Sequence, residues 1–139
     1  MIEFHYETDF NIANEVYYAD WISRVIESEL NFPSRIDFIF CEDGYLLSIN
    51  QEYLDHDNYT DIITFDYSSG KQIEGDIFIS VDRVKENAEK YDVDFEDELL
   101  RVMAHGVLHL MGYGDKGSVE TEIMRGKEDE KIKMFHVEQ

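Results

Sequence analysis

The stretch from Met103 to Asp115 constrains this chain more than any other, because it places two histidines in a segment that is apolar on nearly every side. His105 and His109 are four residues apart, so on a helix their imidazoles project from one face, one turn apart. An unpartnered histidine pair would be costly to bury there, and a metal ion would supply the partner. An isolated pair at this spacing is about as often two packed core residues, and the apolar flanks favour the metal.

Two glycines follow the second histidine and predict the end of the helix. If the chain turns back at Gly112 and Gly114, Asp115 can reach the same ion, which would then have two neutral imidazoles and one carboxylate as ligands. Such a set leaves a position open for water, as catalytic zinc requires, and it also suits iron and other transition ions. We expect one transition metal per chain, most simply zinc, held by His105, His109 and Asp115.

The residue after the first histidine argues against peptidase activity. In the zinc-protease motif His-Glu-x-x-His that residue is the general base, and here it is Gly106, which has no side chain. A metal site of this kind still supports hydrolysis of a phosphoryl or carbonyl group. Any catalytic base must therefore come from another part of the chain.

The same stretch resembles the signature of the YbeY family, metal-dependent endoribonucleases of ribosomal RNA maturation. The resemblance rests on His105-Gly-Val-Leu-His109-Leu-Met-Gly112-Tyr113 and on upstream blocks similar in order and spacing, Ile49–Tyr53, Thr60–Phe65 and Gly75–Ile77. It covers roughly residues 45–115. Within these blocks, Asp61 and Asp76 stand at strand ends and are candidates for the catalytic base, although each could equally cap a turn.

The resemblance implies an α+β fold in a single domain spanning residues 1–139, with a mixed sheet of about four strands, the metal helix on one face and other helices around it. It implies a hydrolase that cleaves single-stranded RNA in ribosomal RNA processing and ribosome biogenesis. The expected partner is ribosomal RNA or the small ribosomal subunit, with no DNA or membrane partner. The alternative is a ribosome-associated assembly factor that keeps a structural metal and cleaves RNA poorly.

Three positions depart from the family pattern. The third metal ligand is usually a histidine, and Asp115 in its place lowers the charge of the site by one. The family's tyrosine-arginine pair is Tyr53-Leu54 here, which removes a cation that could hold a phosphate. The proline before Thr60-Asp61 is replaced by Tyr59.

The formal net charge of −20 argues against a general nucleic-acid binder, since phosphate backbones are held by clustered lysine and arginine. No basic residue lies between Arg35 and Lys71. Any RNA should instead bind to two basic segments, one on each side of the metal motif. The alternative is that these residues only neutralise neighbouring acidic residues. The segments comprise Arg83, Lys85, Lys90 and Arg101, then Lys116, Arg125, Lys127, Lys131 and Lys133.

Length and cysteine content bound the remaining possibilities. A chain of 139 residues suits one domain with one core, and the single Cys41, in an apolar run, predicts a buried thiol in a reducing compartment. The sequence shows neither a signal-peptide pattern nor an apolar run of membrane-spanning length. We therefore expect a cytoplasmic protein.

Hydrophobic periodicity predicts the order of the elements. Strands are expected at Ile2–Tyr6, 35–41 after Pro33, Thr60–Tyr67 and Ile73–Ser80, the last two forming a hairpin. Helices are expected at Ile12–Leu30, Glu42–Tyr53, Val81–Lys90 and Gly117–Lys133. A further helix, which carries the two histidines, is expected to begin after an N-terminal cap at Asp94. A loop is expected at Leu54–Tyr59. The apolar residues predicted to pack inward include Val16, Leu30, Tyr45, Tyr53, Val119 and Ile123.

Overall fold

A computed structural model describes residues 1–56 and 59–137, so the middle of the predicted 54–59 loop, residues 57 and 58, lies outside the described residues. The strands are β1 (Ile2–Tyr6), β2 (Phe32–Cys41), β3 (Ile62–Asp66) and β4 (Gln72–Ser80). The helices are α1 (Glu15–Ser28), α2 (Asp43–Leu54), α3 (Val81–Lys90), α4 (Phe95–Leu110) and α5 (Gly117–Val137). The predicted α+β class is confirmed.

The four strands form one mixed sheet in the order β1-β2-β4-β3. β1 and β4 both run parallel to β2, while β3 pairs antiparallel with β4 through the predicted hairpin. Pro33 lies inside β2 and does not precede it, and the β2–β4 register shifts between Pro33 and Ile36. A proline has no N–H to donate to the ladder, which explains an irregularity at that position.

The main core lies between one face of the sheet and the helices α1, α4 and α5. Trp21, Phe38, Ile77 and Leu100 are fully buried there. The opposite face is partly covered by α2, whose Leu46 packs in a smaller cluster with Ile63 and with Cys41, the buried thiol that the sequence predicted. The sheet thus has two chemically different faces, and α4 lies on the more deeply buried one.

Several inward-facing predictions were wrong because the helices present other stripes to the core. In α1 the buried stripe begins at Tyr18, and Val16, about 200° away around the helix, is 81% exposed. Leu30 lies beyond the end of α1 and is also exposed. Tyr45 and Tyr53 face the sheet, where their rings contact Phe78 and Phe65, but they remain largely exposed. Val119 and Ile123 lie on the outer side of α5.

The buried stripe of α5 contains two charged residues. Met124, Glu128, Lys131 and Phe135 follow one another at intervals of three and four residues, and all four are buried. Lys131 binds Glu29 at 2.6 Å and Glu128 binds Arg101 at 2.8 Å, so both charges are paired. Hydrophobic periodicity alone misses a stripe of this composition.

Candidate metal centre

Close packing of α4 against the sheet fixes the position of the histidines. A Cβ atom at Gly106 would lie 2.8 Å from Ile62 Cδ1 and 3.0 Å from Ile77 Cγ2, so the glycine allows the helix to approach β3 and β4. His105 precedes it and is half-buried at the edge of this contact. Asp94 occupies the N-cap position of α4, but its side chain makes no capping hydrogen bond.

The turn after α4 brings the third candidate ligand back to the helix. The backbone N–H groups of Gly112 and Tyr113 donate to the carbonyls of His109 and Leu108, each at 3.0 Å. Gly112 has a φ of 99°, which a residue with a side chain rarely adopts. The reversal that the glycines predicted therefore occurs within a few residues of His109.

The three candidate ligands lie together. Asp115 Oδ2 is 3.3 Å from His105 Nε2 and 3.3 Å from His109 Nε2. One donor atom from each residue lies within 4.8 Å of the other two. Among the described residues, no hydrogen bond joins the Asp115 carboxylate to the first turn of α5, and Glu120 Oε1 accepts from the N–H of Lys116 at 2.9 Å. Two imidazole nitrogens and one carboxylate oxygen are a donor set that suits a transition ion.

Both histidines have their other ring nitrogen occupied. His105 Nδ1 lies 2.6 Å from Glu128 Oε2, and Glu128 Oε1 accepts a 2.8 Å hydrogen bond from Arg101. His109 Nδ1 donates to the carbonyl of Tyr113 at 2.9 Å. These bonds favour the tautomer with the proton on Nδ1 and leave Nε2 free to bind an ion, as in most histidine metal sites.

The charges around His105 favour a cation at this place. Burial alone would lower the pKa of His105, but the hydrogen bond and charge of Glu128, with the charges of Asp115 and Asp61, raise it. Burial would likewise raise the pKa of Glu128, yet its hydrogen bonds from His105 and Arg101 lower it. The site therefore attracts positive charge, either a proton or a metal ion.

Asp61 lies beside the histidines at the start of β3. Its backbone carbonyl accepts a hydrogen bond of 2.9 Å from Ser80 N–H, which ties it to the end of β4. Its carboxyl lines the same cavity as His105 and Asp115, and burial raises its pKa. A carboxyl of this kind can exchange a proton closer to neutral pH than an exposed aspartate.

Asp76, the other candidate base, lies on the opposite face of the sheet from the histidines. Successive strand residues point to opposite faces, and its neighbours Gly75 and Ile77 face α4. Burial and then the charge of Asp37 raise the pKa of Asp76, while Arg35 lowers it. The matching sequence block did not reveal this orientation, and the structure does not bring Asp76 to the candidate metal ligands.

A second group of possible donors lies on that opposite face. Single donor atoms of Glu3, His5 and Asp37 also lie within 4.8 Å of one another. His5 Nε2 is 2.8 Å from Asp37 Oδ1, and the Arg35 guanidinium is 3.4 Å from Asp37 Oδ2. Because the arginine already offsets the buried carboxylate, this group suits an ion less well than the histidine pair.

A cleft runs on both sides of His105 and Asp115. On one side, a cavity of about 510 Å³ extends to Asn50 and Leu54 of α2. On the other, a cavity of about 330 Å³ extends between α3, α4 and α5 to Tyr91 and Arg125. Both cavities include Asp61, so the candidate centre lies in the middle of an open groove.

Four of the nine residues in the two basic segments form ion pairs among the described residues, namely Arg83, Arg101, Lys127 and Lys131. Arg83 binds Asp43 and Glu86, Arg101 binds Glu128 and Asp129, and Lys131 is fully buried against Glu29. Arg125 is the arginine of these segments that has no carboxylate within 4 Å among the described residues, and it is exposed and lines the cleft. The interpretation that these residues offset neighbouring acids therefore holds for four of the nine; Lys85, Lys90, Lys116 and Lys133 also have no ion pair among the described residues.

Glu128 is the functional candidate that the sequence analysis missed. It lies 23 residues after His105 in an acidic helix, and its spacing from Met124 and Phe135 is the signal that could have found it. The spacing predicts that Glu128 is buried only if charged residues are counted, together with apolar ones, as possible members of the buried stripe of a helix.

No helix within the described ranges 1–56 and 59–137 is long and apolar enough to cross a membrane.

Comparison with known proteins gives matches over nearly the whole chain. The sequence model of the family described as "Endoribonuclease YbeY" matches residues 3–136. Proteins of that name from Flavobacterium johnsoniae and Flavobacterium psychrophilum are 58% and 57% identical over 139 residues, which is all of this chain and 100% and 99% of theirs. A solution structure of a Thermotoga maritima protein shares the fold with a TM-score of 0.69 and 25% identity, covering 97% of this chain and 89% of that one. This chain therefore belongs to the YbeY family of endoribonucleases.

Proposed function

We propose that this protein is a metal-dependent endoribonuclease that cleaves single-stranded RNA in ribosomal RNA processing. The observation that supports the proposal most is the convergence of His105 Nε2, His109 Nε2 and one oxygen of Asp115 in an open cleft beside Asp61. The relatives named "Endoribonuclease YbeY", which the chain matches over its full length, support the choice of RNA as substrate.

In this proposal His105, His109 and Asp115 hold one zinc ion, since zinc accepts a mostly nitrogen ligand set with one carboxylate. Other transition ions with the same preference remain compatible with these donors. A bound ion would supply Lewis-acid activation of water and of a phosphoryl group. Glu128 and the Tyr113 carbonyl orient the two imidazoles toward the ion.

Asp61 is the proposed general base. Its carboxyl faces the cleft, and its raised pKa brings it closer to the pH at which a base must accept a proton during phosphodiester cleavage. Asp76 is not part of this proposal because it lies on the other face of the sheet.

The proposed partner is ribosomal RNA, met on the small ribosomal subunit in the cytoplasm, with no DNA substrate. Leu54 lines the cleft with the metal ligands, where the family resemblance implies an arginine. A leucine cannot hold a phosphate, so the ion and cations elsewhere in the cleft must do so.

Cleavage of a labelled single-stranded RNA tests the proposal. We expect cleavage that stops with a chelator, returns on adding zinc or another transition ion, and does not occur with DNA of the same sequence. Asp61→Asn should slow cleavage by about a hundredfold or more while the metal content stays the same. Chelator-resistant cleavage would argue against the metal, and full activity of Asp61→Asn would argue against the base.

A further inference from the structure

The cleft continues beyond the candidate metal centre into a hollow formed by the end of α3, the middle of α4 and the face of α5. Tyr91, Glu98, Arg101 and Arg125 line both the 330 Å³ cavity that contains His105 and a neighbouring cavity of about 360 Å³. Whatever occupies the hollow therefore lies directly beside the candidate catalytic groups.

Tyr91 offers an exposed aromatic surface at this place. It is the C-cap residue of α3, held by a 2.9 Å hydrogen bond from its backbone N–H to the Asn87 carbonyl, and its side chain is 57% exposed. The ammonium group of Lys90 lies over one face of the ring, 5.5 Å from its centroid, so a base would stack on the other face. A fixed backbone with an exposed ring is the usual arrangement on which an unpaired nucleobase stacks.

Arg125 offers a guanidinium that forms no ion pair among the described residues. Both terminal nitrogens of Arg101 are bound to carboxylates, at 2.8 Å to Glu128 and 2.7 Å to Asp129. For Arg125 no carboxylate lies within 4 Å among the described residues, although the chain has 32 acidic residues and only 12 lysines and arginines. An arginine left without an acid in so acidic a protein is suited to an anion from outside.

Two acidic groups of the hollow, Glu98 and Glu128, repel a phosphate less than free carboxylates would, while Asp61, Asp97 and Asp115 also line the two cavities. Glu128 is neutralised by Arg101 and by its contact with His105. Burial and the charge of Asp61 raise the pKa of Glu98, and the charges of Arg101 and Arg125 partly offset this rise. Asn87, which also lines the cavity, adds an amide that can donate to and accept from a base edge.

From the exposed ring, the unpaired guanidinium and their shared cavity beside His105, we infer that Tyr91, Arg125 and Asn87 form a subsite for one unpaired nucleotide of an RNA strand. The base stacks on Tyr91, Arg125 binds a phosphate, and the neighbouring phosphodiester reaches the candidate metal centre. This inference rests on the proposed function, which supplies the cleavage at that centre. It assigns substrate contacts to the side of the cleft away from Leu54.

Binding of a fluorescent single-stranded 2′-O-methyl oligonucleotide, followed by anisotropy on the metal-loaded protein, tests the subsite. Arg125→Ala should weaken binding about tenfold and reduce the slope of log affinity against log salt by about 0.7. Tyr91→Ala should weaken binding about fivefold or more, whereas Tyr91→Phe, which keeps the ring, should bind as the parent does. Arg35→Ala removes the same charge from the opposite face and should leave affinity unchanged.

A duplex of the same sequence separates stacking from general charge attraction. Its bases are already paired, so Tyr91→Ala should not alter its binding. Thermal melting of every variant, checked against the parent, excludes unfolding as a cause.

The outcomes also separate the subsite from the proposed function. If the parent cleaves RNA but Arg125→Ala and Tyr91→Ala bind as it does, the subsite is wrong and the proposed function stands. If the parent binds but does not cleave, and the two variants lose binding, the subsite stands and the proposed function fails. A parent protein that does not bind single-stranded RNA overturns the subsite.

Discussion

Asp115 contacts both histidines of the candidate centre through one carboxylate oxygen, Oδ2, which lies 3.3 Å from each Nε2. A single oxygen between two imidazole nitrogens marks the place where an ion would bind. Because the carboxylate is negative where a histidine would be neutral, this residue also sets the charge of the site.

Replacing Asp115 tests its role as a ligand. Asp115→Ala and Asp115→Asn should both weaken metal binding about tenfold or more, because neither side chain carries a charge for the ion, whereas Asp115→His should retain the metal. Metal titrations of the three variants measure this. An asparagine variant that holds metal as tightly as the parent would remove Asp115 from the site.

Glu128 would act on a bound metal only through His105, whose Nδ1 lies 2.6 Å from the Glu128 carboxylate. Glu128→Gln keeps an acceptor oxygen but loses the charge that favours an electron-rich imidazole, so metal affinity should fall about tenfold to a hundredfold. Asp129→Asn is the matched control, since Asp129 also binds Arg101 but does not contact the histidine. Equal metal affinities for the two variants would assign Glu128 a purely structural role.

At the scale of elements, the β3–β4 hairpin could be predicted from β-branched and aromatic content on either side of a turn. The closeness of the candidate ligands His105, His109 and Asp115 could be predicted from helical spacing and from the two glycines that end α4. Asp76 could not be oriented, since its direction depends on which face of β4 meets α4. The inner face of α5 was also missed, because its buried stripe includes Glu128 and Lys131, whose partners Arg101 and Glu29 lie on other helices.

Gly75 tests the contact between the hairpin and α4. A Cβ atom there would lie 2.5 Å from the Phe65 carbonyl oxygen and 2.9 Å from Leu110 Cδ2, so Gly75→Ala should lower the free energy of unfolding by about 2 kcal/mol or more. Gly126→Ala, in α5 with no atom within 4 Å of its Cβ position, should be stabilising by up to about 1 kcal/mol. Urea denaturation measures both, and a neutral Gly75→Ala would contradict the close packing.

Glu29 joins α1 to α5 and to the turn that carries Asp115. Its carboxylate binds Lys131 at 2.6 Å and Lys127 at 3.0 Å, and it accepts a 2.6 Å hydrogen bond from the Tyr113 hydroxyl. Burial alone would raise the pKa of Glu29, but these three hydrogen bonds lower it from 4.5 to about 2. The folded state therefore holds the charged form more strongly than the unfolded state does.

Because the pKa of Glu29 is lower in the folded state than in the unfolded state, its charged form stabilises the fold. This stability is fully present above pH 4.5, the pKa of the unfolded state, and is lost as the pH falls through about 2, the pKa of the folded state. Glu29→Gln should lower the free energy of unfolding by about 3 kcal/mol at neutral pH. The difference between the variant and the parent should shrink below pH 4.5 and disappear near pH 2. Denaturant unfolding of both proteins at a series of pH values measures it. A difference independent of pH would show that the carboxylate is not the source of the stability.

At the scale of the whole molecule, the net charge of −20 limits the surfaces on which RNA can bind. Arg83, Arg101 and Lys131 neutralise acids within the protein. In the proposed function, attraction of RNA must therefore come from a metal ion bound in the cleft and from the exposed cations beside it. The composition predicts that any RNA binding is local, but it does not indicate which lysines and arginines are left without a carboxylate partner in the protein.

The central claim is that one transition ion binds between the two histidines of α4. Crystals grown with zinc and measured at its absorption edge test this directly through an anomalous difference map. We expect one peak per chain, about 2.0–2.2 Å from His105 Nε2, His109 Nε2 and an Asp115 carboxylate oxygen. A map with no peak there at excess zinc, or with a peak only at Glu3, His5 and Asp37, would contradict the claim.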